Sequence, residues 1–409
     1  MTVYYPTGTK QIYHLAKRAF AKTWLKLNNP IQIAITGSQG KTNTTKITTA
    51  ILEKAGSTVS TDTNLDTTFN IPITALKVRP WTKHVVWELG IDHLGEMDQH
   101  LEIVKPSISC ITGISPVHTD NEHLGSLETL IQEKRKIIEV LPKTGTAILN
   151  YDDPLVRQMA KHTKAKVIWY GTDPKYSNVW VNPKSIKINL TGTEFEINID
   201  NRKYIVETGL IGTHHIYNLM AGYLIAKSAH PHHGLINNFQ IVAKEISPLK
   251  GRMNIEKGPL NTLILNDSLR ANPASTKAGL ETLFKLEYKK GRKIAVLGEM
   301  GELEDPVDEH KKTGYEIAKF KPDFVVGIGL LRKHTLETAV KAGYPKEKTA
   351  YATNVLVAAE ILKNVLKPDD LWYLKGSFLR NYKRIPQLLN EEKICCDKIL
   401  CPYSHCGYN

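Results

Sequence analysis

The chain reads as an α/β protein, with a central domain of P-loop type built on a mostly parallel sheet followed by a smaller Rossmann-like α/β domain. Three observations carry that reading. Apolar runs of strand length alternate with helical patterns through most of the 409 residues, a glycine turn closes the first run, and the alternation restarts after Gly251-Arg252. Parallel neighbours need a covered crossover between them, so the alternation argues against an all-β or all-helical architecture.

Taken in order, residues 1–30 are expected to be a helical lead-in. Its apolar residues Ile12, Leu15, Ala16, Ala19 and Phe20 recur at helical spacing, and Asn28-Asn29-Pro30 stops it. The central ATP-binding domain is expected over residues 31–248. Strand-like runs at 31–35, 84–89, 108–112, 146–150 and 166–170 alternate there with helical patterns, while 177–210 alternates apolar with polar residues as an antiparallel edge does. A helix begins near Gly212-Thr213-His214 and carries Leu219, Ala221, Leu224 and Ile225. The C-terminal domain is expected over residues 249–392, with strands near 262–266, 293–298, 323–328 and 370–374. Residues 393–409 form a Cys-rich tail that holds four of the five cysteines, the fifth being Cys110 in an apolar run.

Hydrophobic residues make up 41% and charged residues 23%, the balance of an ordinary globular protein. No apolar run reaches membrane-spanning length, and Lys10, Lys17 and Arg18 interrupt the N-terminal apolar residues, so no secretory segment is read and the chain is expected to be cytoplasmic. The net charge of +13 favours anionic partners. A nucleotide or a phosphorylated small molecule satisfies it. Nucleic acid is disfavoured because no nucleic-acid-binding motif accompanies the charge.

The run Ile33-Ala34-Ile35-Thr36-Gly37-Ser38-Gln39-Gly40-Lys41-Thr42-Asn43 is a strand, a glycine turn and a helix start. It is a phosphate cradle. Gly37 and Gly40 permit positive φ, so successive N–H groups and the helix N-terminus can face an anion. Lys41 then neutralises phosphate charge and the Thr42 hydroxyl sits on Mg²⁺, although G-x-x-G-K-T is shorter than the general P-loop spacing. Glu88 ends an apolar strand, where open α/β sheets bind ligands and where a hard oxygen suits Mg²⁺. His118 follows the next strand. Lys134 falls on the apolar stripe of a helix at 127–141, seven residues after Leu127. Burial there favours the neutral amine, the form that reacts with CO₂ to give a carbamate; snorkelling of the stem to water is the competing reading.

These residues resemble the Mur ligase family, ATP-dependent amide-bond-forming enzymes of cell-wall synthesis. The likeness spans most of residues 31–380. Residues 36–42 resemble the family's P-loop, Glu88 and His118 its magnesium ligands, and Lys134 its carbamylated lysine. Gly212-Thr213-His214-His215-Ile216-Tyr217-Asn218 is similar to G-x-H-x-x-x-N, whose Asn meets the adenine, and Gly251-Arg252 resembles the arginine that reaches ATP. Within the family the likeness is to the D-alanyl-D-alanine-adding branch. Asp267-Ser268-Leu269-Arg270-Ala271-Asn272-Pro273 resembles its D-S-Y-N-A-N-P, Leu297 to Leu303 its G-D-M-x-E-L-G, and Leu374-Lys375-Gly376-Ser377 its V-K-G-S-R. The resemblance implies that Asp267 holds the ATP ribose and that Asn272, Lys375 and Ser377 border the substrate.

The departures are Gly113 and Ser115 in the family's N-x-G-x-x-H, Arg270 in the N-A-N-P element, and Phe378 after K-G-S. About thirty residues before the P-loop are too few for the uridine-nucleotide-binding domain that the family carries. A partner protein supplying that function is therefore one expectation.

The resemblance implies ATP and two Mg²⁺ sites. Lys41, Thr42 and Glu88 with one ion, and Arg252, would stabilise the transferring phosphoryl, and His118 with carbamylated Lys134 would hold the second ion near the acceptor carboxylate. The expected reaction is ADP-forming amide ligation through an acyl phosphate, the acceptor a small-molecule or nucleotide-linked peptide. The alternatives are a folylpolyglutamate-synthetase-like or other non-cell-wall ligase, or a non-catalytic ATP-binding module that works with a partner. The tail residues Cys395, Cys396, Cys401, His405 and Cys406 could supply a Zn²⁺ site, although adjacent ligands are poorly spaced for one.

Overall fold

The computed structural model describes residues 7–62, 67–232, 234–377 and 380–394, so Phe378 and the Cys/His positions 395–406 lie outside the described residues. The chain divides into two compact units. One takes in Met1–Ile186, Glu194–Thr208 and His214–Ile246, the other Lys187–Thr193, Gly209–Thr213 and Ser247–Asn409.

The first unit holds strands β1 (Ile31–Thr36), β2 (Thr58–Ser60), β3 (His84–Glu88), β4 (Ile108–Ile111), β5 (Thr146–Asn150), β6 (Lys166–Gly171) and β7 (Val179–Val181), with β8 (Lys187–Asn189) falling in the other unit, then β9 (Gly192–Ile199) and β10 (Arg202–Thr208). Its helices are α1 (Thr9–Asn28), α2 (Lys41–Glu53), α3 (Thr67–Lys77), α4 (Glu96–Ile103), α5 (Leu127–Glu139), α6 (Pro154–Met159), α7 (Thr213–Ala229) and α8 (Leu235–Glu245). The sheet order is β10-β9-β7-β6-β5-β4-β1-β3-β2. From β2 to β7 every pairing is parallel, and β9 then joins β7 antiparallel. The chain runs from β1 to one side, through β2 and β3, and crosses back to place β4 on the other side of β1. That reversal creates a crevice at the carboxyl ends of β1 and β4, where such sheets take their ligands.

Helices cover both faces, which is why β3 and β4 are almost continuously buried and do not alternate. Cys110 on β4 is a free, buried thiol whose pKa burial pushes up to about 12. It is inert packing.

Helix α1 forms, but on a different face from the apolar stripe in its sequence. Ile12, Leu15 and Phe20 are exposed, whereas Ala21 and Leu25 are buried in the core beside Arg18. The buried face is held by polar contacts that come from far along the chain. Arg18 donates to the Gln99 carbonyl and pairs with Glu102 at 3.4 Å, and the Trp24 indole N–H donates to the Val78 carbonyl at 2.9 Å. An arginine inside the helix thus marks the buried side, because its partners bring the charge in.

The second unit builds the order β11 (Asn254–Gly258), β12 (Thr262–Asp267), β16 (Leu371–Lys375), β13 (Lys293–Gly298), β14 (Phe324–Ile328) and β15 (Thr349–Ala352). β11 is antiparallel to β12, and the other pairings are parallel. Helices α9 (Pro273–Lys285), α10 (Pro306–Phe320), α11 (Arg332–Lys341), α12 (Val355–Val365) and α13 (Arg384–Leu389) accompany the sheet. The strands β2, β11 and β15 are additions to the sequence reading. Each is short and largely half-buried, so no apolar run announces it.

Two buried histidines couple the units' stability to pH. His310 accepts from the Met300 N–H at 3.1 Å and donates to the Pro306 carbonyl at 2.6 Å, an arrangement that requires the neutral ring. Burial, aided by the Arg332 charge, lowers its pKa to about 3, and burial lowers that of His100 to about 4. Unfolded histidine takes up its proton near pH 6.5, so between pH 6.5 and 4 the unfolded chain binds protons that the folded chain does not. Stability is therefore full above pH 6.5 and falls on acidification, on the order of 1.4 kcal/mol per pH unit for each histidine. Urea denaturation at pH 7 and pH 5 should show the lower midpoint at pH 5, with a smaller difference in His310→Gln; equal midpoints for the wild type would contradict this.

Candidate active site

The loop from β1 to α2 is held by the segment that follows β4. Gly37 has φ 148°, and a Cβ there would lie 2.1 Å from the Thr112 hydroxyl oxygen. Only glycine lets the two segments approach this closely. The Ser38 N–H donates to the Gly113 carbonyl at 2.8 Å, its hydroxyl donates to the Ser115 carbonyl at 2.7 Å, and the Ser115 N–H returns to the Ser38 hydroxyl at 2.9 Å. Ser115 also donates to the Gln39 side-chain oxygen at 2.9 Å, and Thr112 donates to the Gln39 carbonyl. Gly113 and Ser115, which depart from the family pattern, are thus the groups that brace Ser38 and Gln39.

Gly40 caps α2 with φ 83°, and the Lys41 ammonium lies over the loop, donating to the Gly37 carbonyl at 2.7 Å. Thr42, in the first turn, donates its hydroxyl to Glu88 Oε1 at 2.9 Å. This brings a hydroxyl and a carboxylate oxygen together at adjacent strand ends. Two hard oxygen donors beside an anion-binding loop fit Mg²⁺.

On α7, Asn218 is buried against the first turn of α2. Its side-chain oxygen accepts from Thr44 at 3.4 Å, and a Cβ on Gly40 would come within 2.5 Å of that oxygen. Asn43 meets His215 Nδ1 at 3.3 Å. Helix α7 therefore supports the start of α2 from behind.

His118 lies in the loop after β4 with φ 54°, a left-handed backbone that is rare for a non-glycine residue. Its Nε2 is 3.2 Å from Asp92 Oδ1. His123, five residues on, has its ring centroid 5.4 Å from that of His118. Lys134 on α5 is 1% exposed, so its amine does not reach water along the stem. Its neighbour on the helix, Glu133, is equally buried and takes the Lys136 ammonium.

In the second unit, Asp267 and Lys375 are partners in register on the neighbouring parallel strands β12 and β16. Lys375 donates to Asp267 Oδ2 at 2.7 Å and the Tyr373 hydroxyl donates to the same oxygen at 3.1 Å. Burial raises the Asp267 pKa and lowers that of Lys375, against their mutual attraction and, for Asp267, that of Arg252. Asn272 caps α9, its side-chain oxygen accepting from the Ser275 N–H at 2.8 Å. Ser377 follows β16, and Arg252 lies in the turn before β11.

The structure brings Ser38, Gln39, Lys41, Thr42, Asn43, Glu88 and Asn218 into one neighbourhood, and Asp267 with Lys375 into another. Sequence reasoning passed over Thr112, which donates to the Thr36 and Gln39 carbonyls, and over His93 and His123, whose rings meet although they follow different strands.

A phosphate-cradling loop at the switch point of a parallel sheet, with a lysine and a cation-ready hydroxyl at its helix start, defines a P-loop nucleotide-dependent α/β enzyme. Residues 35–226 match the Mur ligase middle domain and residues 251–378 the family described as Mur ligase, glutamate ligase domain. The chain belongs to the Mur ligase family of ATP-dependent, ADP-forming ligases. It is 30% identical over 367 residues to the UDP-N-acetylmuramoyl-tripeptide–D-alanyl-D-alanine ligase of Bacillus subtilis (strain 168), covering 88% of this chain and 76% of that protein. The Escherichia coli (strain K12) protein of the same name is 26% identical over 377 residues, covering 91% and 80%. Among solved structures, MurF from Acinetobacter baumannii superposes with a TM-score of 0.81 at 24% identity, over 93% of this chain and 81% of that one, which shows the fold. No helix among the described residues is long and apolar enough to cross a membrane.

Gly40→Ala should lower ATP affinity at least tenfold by calorimetry, because its Cβ meets Asn218 and the residue must hold φ 83°. The fold should survive with a loss of about 1–2 kcal/mol; wild-type affinity would show that the loop geometry is dispensable.

Proposed function

We propose that the chain joins D-alanyl-D-alanine to the terminal carboxylate of a UDP-N-acetylmuramoyl-tripeptide, the reaction in the names of its relatives, and that it works in the cytoplasm. The observation that carries the proposal is the Thr42–Glu88 contact beside Lys41 on the cradle. A carboxylate oxygen of the acceptor attacks the γ-phosphorus of ATP and ADP leaves; the amine then attacks the acyl carbon, phosphate departs and the nitrogen gives up a proton. Little of this needs covalent help from the protein. Positioning and charge stabilisation carry it.

On this reading the cradle's N–H groups and Lys41 hold the β- and γ-phosphates, and Gly37, Ser38, Gln39, Gly40 and Asn43 keep the loop open. Thr42 and Glu88 would hold one Mg²⁺, and His118 with Lys134 as its carbamate a second, the ions neutralising phosphate charge when bound. Burial of the Lys134 side chain supports a role inside the site over snorkelling to water. Asn218 supports the adenine end, while Arg252 and Asp267 are read as the phosphate and ribose contacts. Asn272 fixes the start of α9, Lys375 orients Asp267, and Ser377 borders the amine.

The deciding assay is ADP release by the purified chain with Mg²⁺ and ATP. Release that depends on both UDP-N-acetylmuramoyl-tripeptide and D-alanyl-D-alanine supports the proposal, and release with a folate and glutamate instead would replace it. Turnover that appears only with a second protein would assign uridine-nucleotide recognition to a partner. ATP binding without turnover under any of these conditions would leave a binding module.

Lys41→Ala should abolish ligation while leaving the melting temperature nearly unchanged, since it removes charge stabilisation at a loop. Near wild-type turnover would remove the cradle from the mechanism. Lys134→Ala should be almost inactive and partly rescued by short-chain carboxylates that fill the vacated space. Full activity without added carboxylate would argue against a carbamate.

A further inference from the structure

Helix α1 turns one face to the core of the first unit and leaves an apolar face outside. At about 3.6 residues per turn, Ile12, Ala16, Phe20, Thr23 and Leu27 share a stripe opposite the buried Arg18, Ala21 and Leu25. Ile12 is 69% exposed, Phe20 59% and Leu27 74%, so the stripe stands in solvent. Basic side chains border it on both sides. Lys10 and Lys17 line one edge, Lys22 and Lys26 line the other, and the helix holds no Asp or Glu. Glu102 on α4 meets Arg18 on the buried side, away from the stripe. A second segment carries the same composition. The Trp24 ring, stacked near Phe20 at 6.2 Å, donates its N–H to the Val78 carbonyl and so ties α1 to the connection between α3 and β3. That connection exposes Lys77, Arg79 and Lys83 around Trp81, which is itself 69% exposed, and it too lacks an acidic residue.

We propose that this face lays the chain on an anionic lipid surface, with α1 parallel to the membrane plane. Single exposed apolar side chains are ordinary, but a contiguous row of them along one helix marks an interaction surface. The arrangement fits the boundary between acyl chains and headgroups, because the apolar row can enter the hydrocarbon edge while the flanking ammonium groups stay at headgroup level. Trp81 among its basic neighbours has the composition of an interfacial anchor. Lysines interrupt the apolar residues of α1 every few positions, so the helix lies on a bilayer and does not span one. Charge decides the occupant. A second copy would set the same lysines against these, and a neutral surface would leave them unmatched, whereas an anionic surface gains roughly fivefold in binding for each lysine brought to it. Lysines on both borders of one straight apolar row suit a flat surface. The inference is independent of the ligase reading.

Vesicle sedimentation of the full chain tests this. The chain should pellet with vesicles of equal parts phosphatidylcholine and phosphatidylglycerol, stay largely in the supernatant with phosphatidylcholine alone, and be released from the anionic vesicles by raised salt. Phe20→Glu combined with Leu27→Glu, both at exposed positions, should weaken vesicle binding at least tenfold with an unchanged melting temperature. Lys10→Gln, Lys22→Gln and Lys26→Gln together should weaken it about 100-fold, whereas Lys311→Gln, Lys341→Gln and Lys367→Gln, an equal loss of charge in the second unit, should leave it within about twofold. ADP release with soluble substrates should be unchanged in all of these variants. Equal losses in the two triple variants would reduce the effect to net charge and overturn the assignment to α1. A chain that ignores anionic vesicles would overturn the proposal outright; a dimer in sedimentation equilibrium that Phe20→Glu dissolves would then give the face to a second copy, and a monomer would leave it to a protein partner.

Discussion

The contact between the β1–α2 loop and the segment after β4 is the constraint on which the rest of the first unit's site depends. An anion-binding loop works only if its N–H groups keep pointing at the anion, and a free glycine turn would not hold that shape. Here the loop is tied down by the reciprocal Ser38–Ser115 hydrogen bonds and by the Thr112 contacts. Because β1 and β4 are parallel neighbours in register, from Ile33 with Ile108 to Thr36 with Ile111, the two segments leave the sheet side by side. The other neighbour of β1 ends in Glu88, which is why Thr42, at the start of α2, finds a carboxylate.

The second unit solves a related problem with buried charge. Asp267 and Lys375 are taken out of water together, and the cost of desolvating both tends to exceed their attraction. Such a pair is poor evidence for stability. It fixes the direction of the Asp267 carboxylate at the end of β12, helped by the Tyr373 hydroxyl. Arg332 behaves similarly at the end of β13. It is fully buried, holds the Gly298 carbonyl, and has its pKa lowered by burial to about 10, still well above neutrality. Both networks spend desolvation on orientation.

Legibility in the sequence followed the range of the interactions. The cradle was readable because strand, turn and helix start are contiguous, and the burial of Lys134 was readable because its helix keeps one apolar stripe. Helix α1 was legible as a helix but not in orientation. Its buried face is set by Glu102 and Val78, and no periodicity within residues 9–28 encodes them. The short strands β2, β11 and β15 take their structure from their neighbours and carry little apolar signal of their own. His123 gave no signal of its own, because its approach to His93 joins the segments after two different strands, β4 and β3.

A common physical cause places the polar groups of both units at strand ends. A parallel sheet covered by helices has no room for unpaired charge along its length, so β1 and β4 carry no Asp, Glu, Lys or Arg, and β3, β12 and β16 carry one only at their last residue, Glu88, Asp267 and Lys375. At the carboxyl ends the backbone leaves the sheet, helix N-termini begin, and side chains can meet water, anions or cations. Chemistry is thereby confined to the loops that follow the strands. Those loops are also anchored to the core, through Leu89 and Ile91 after β3 and Ile114 and Leu124 after β4, which holds their polar groups in place. A donor set can therefore be assembled from the ends of different strands of one sheet, as Thr42 after β1 and Glu88 at the end of β3 show.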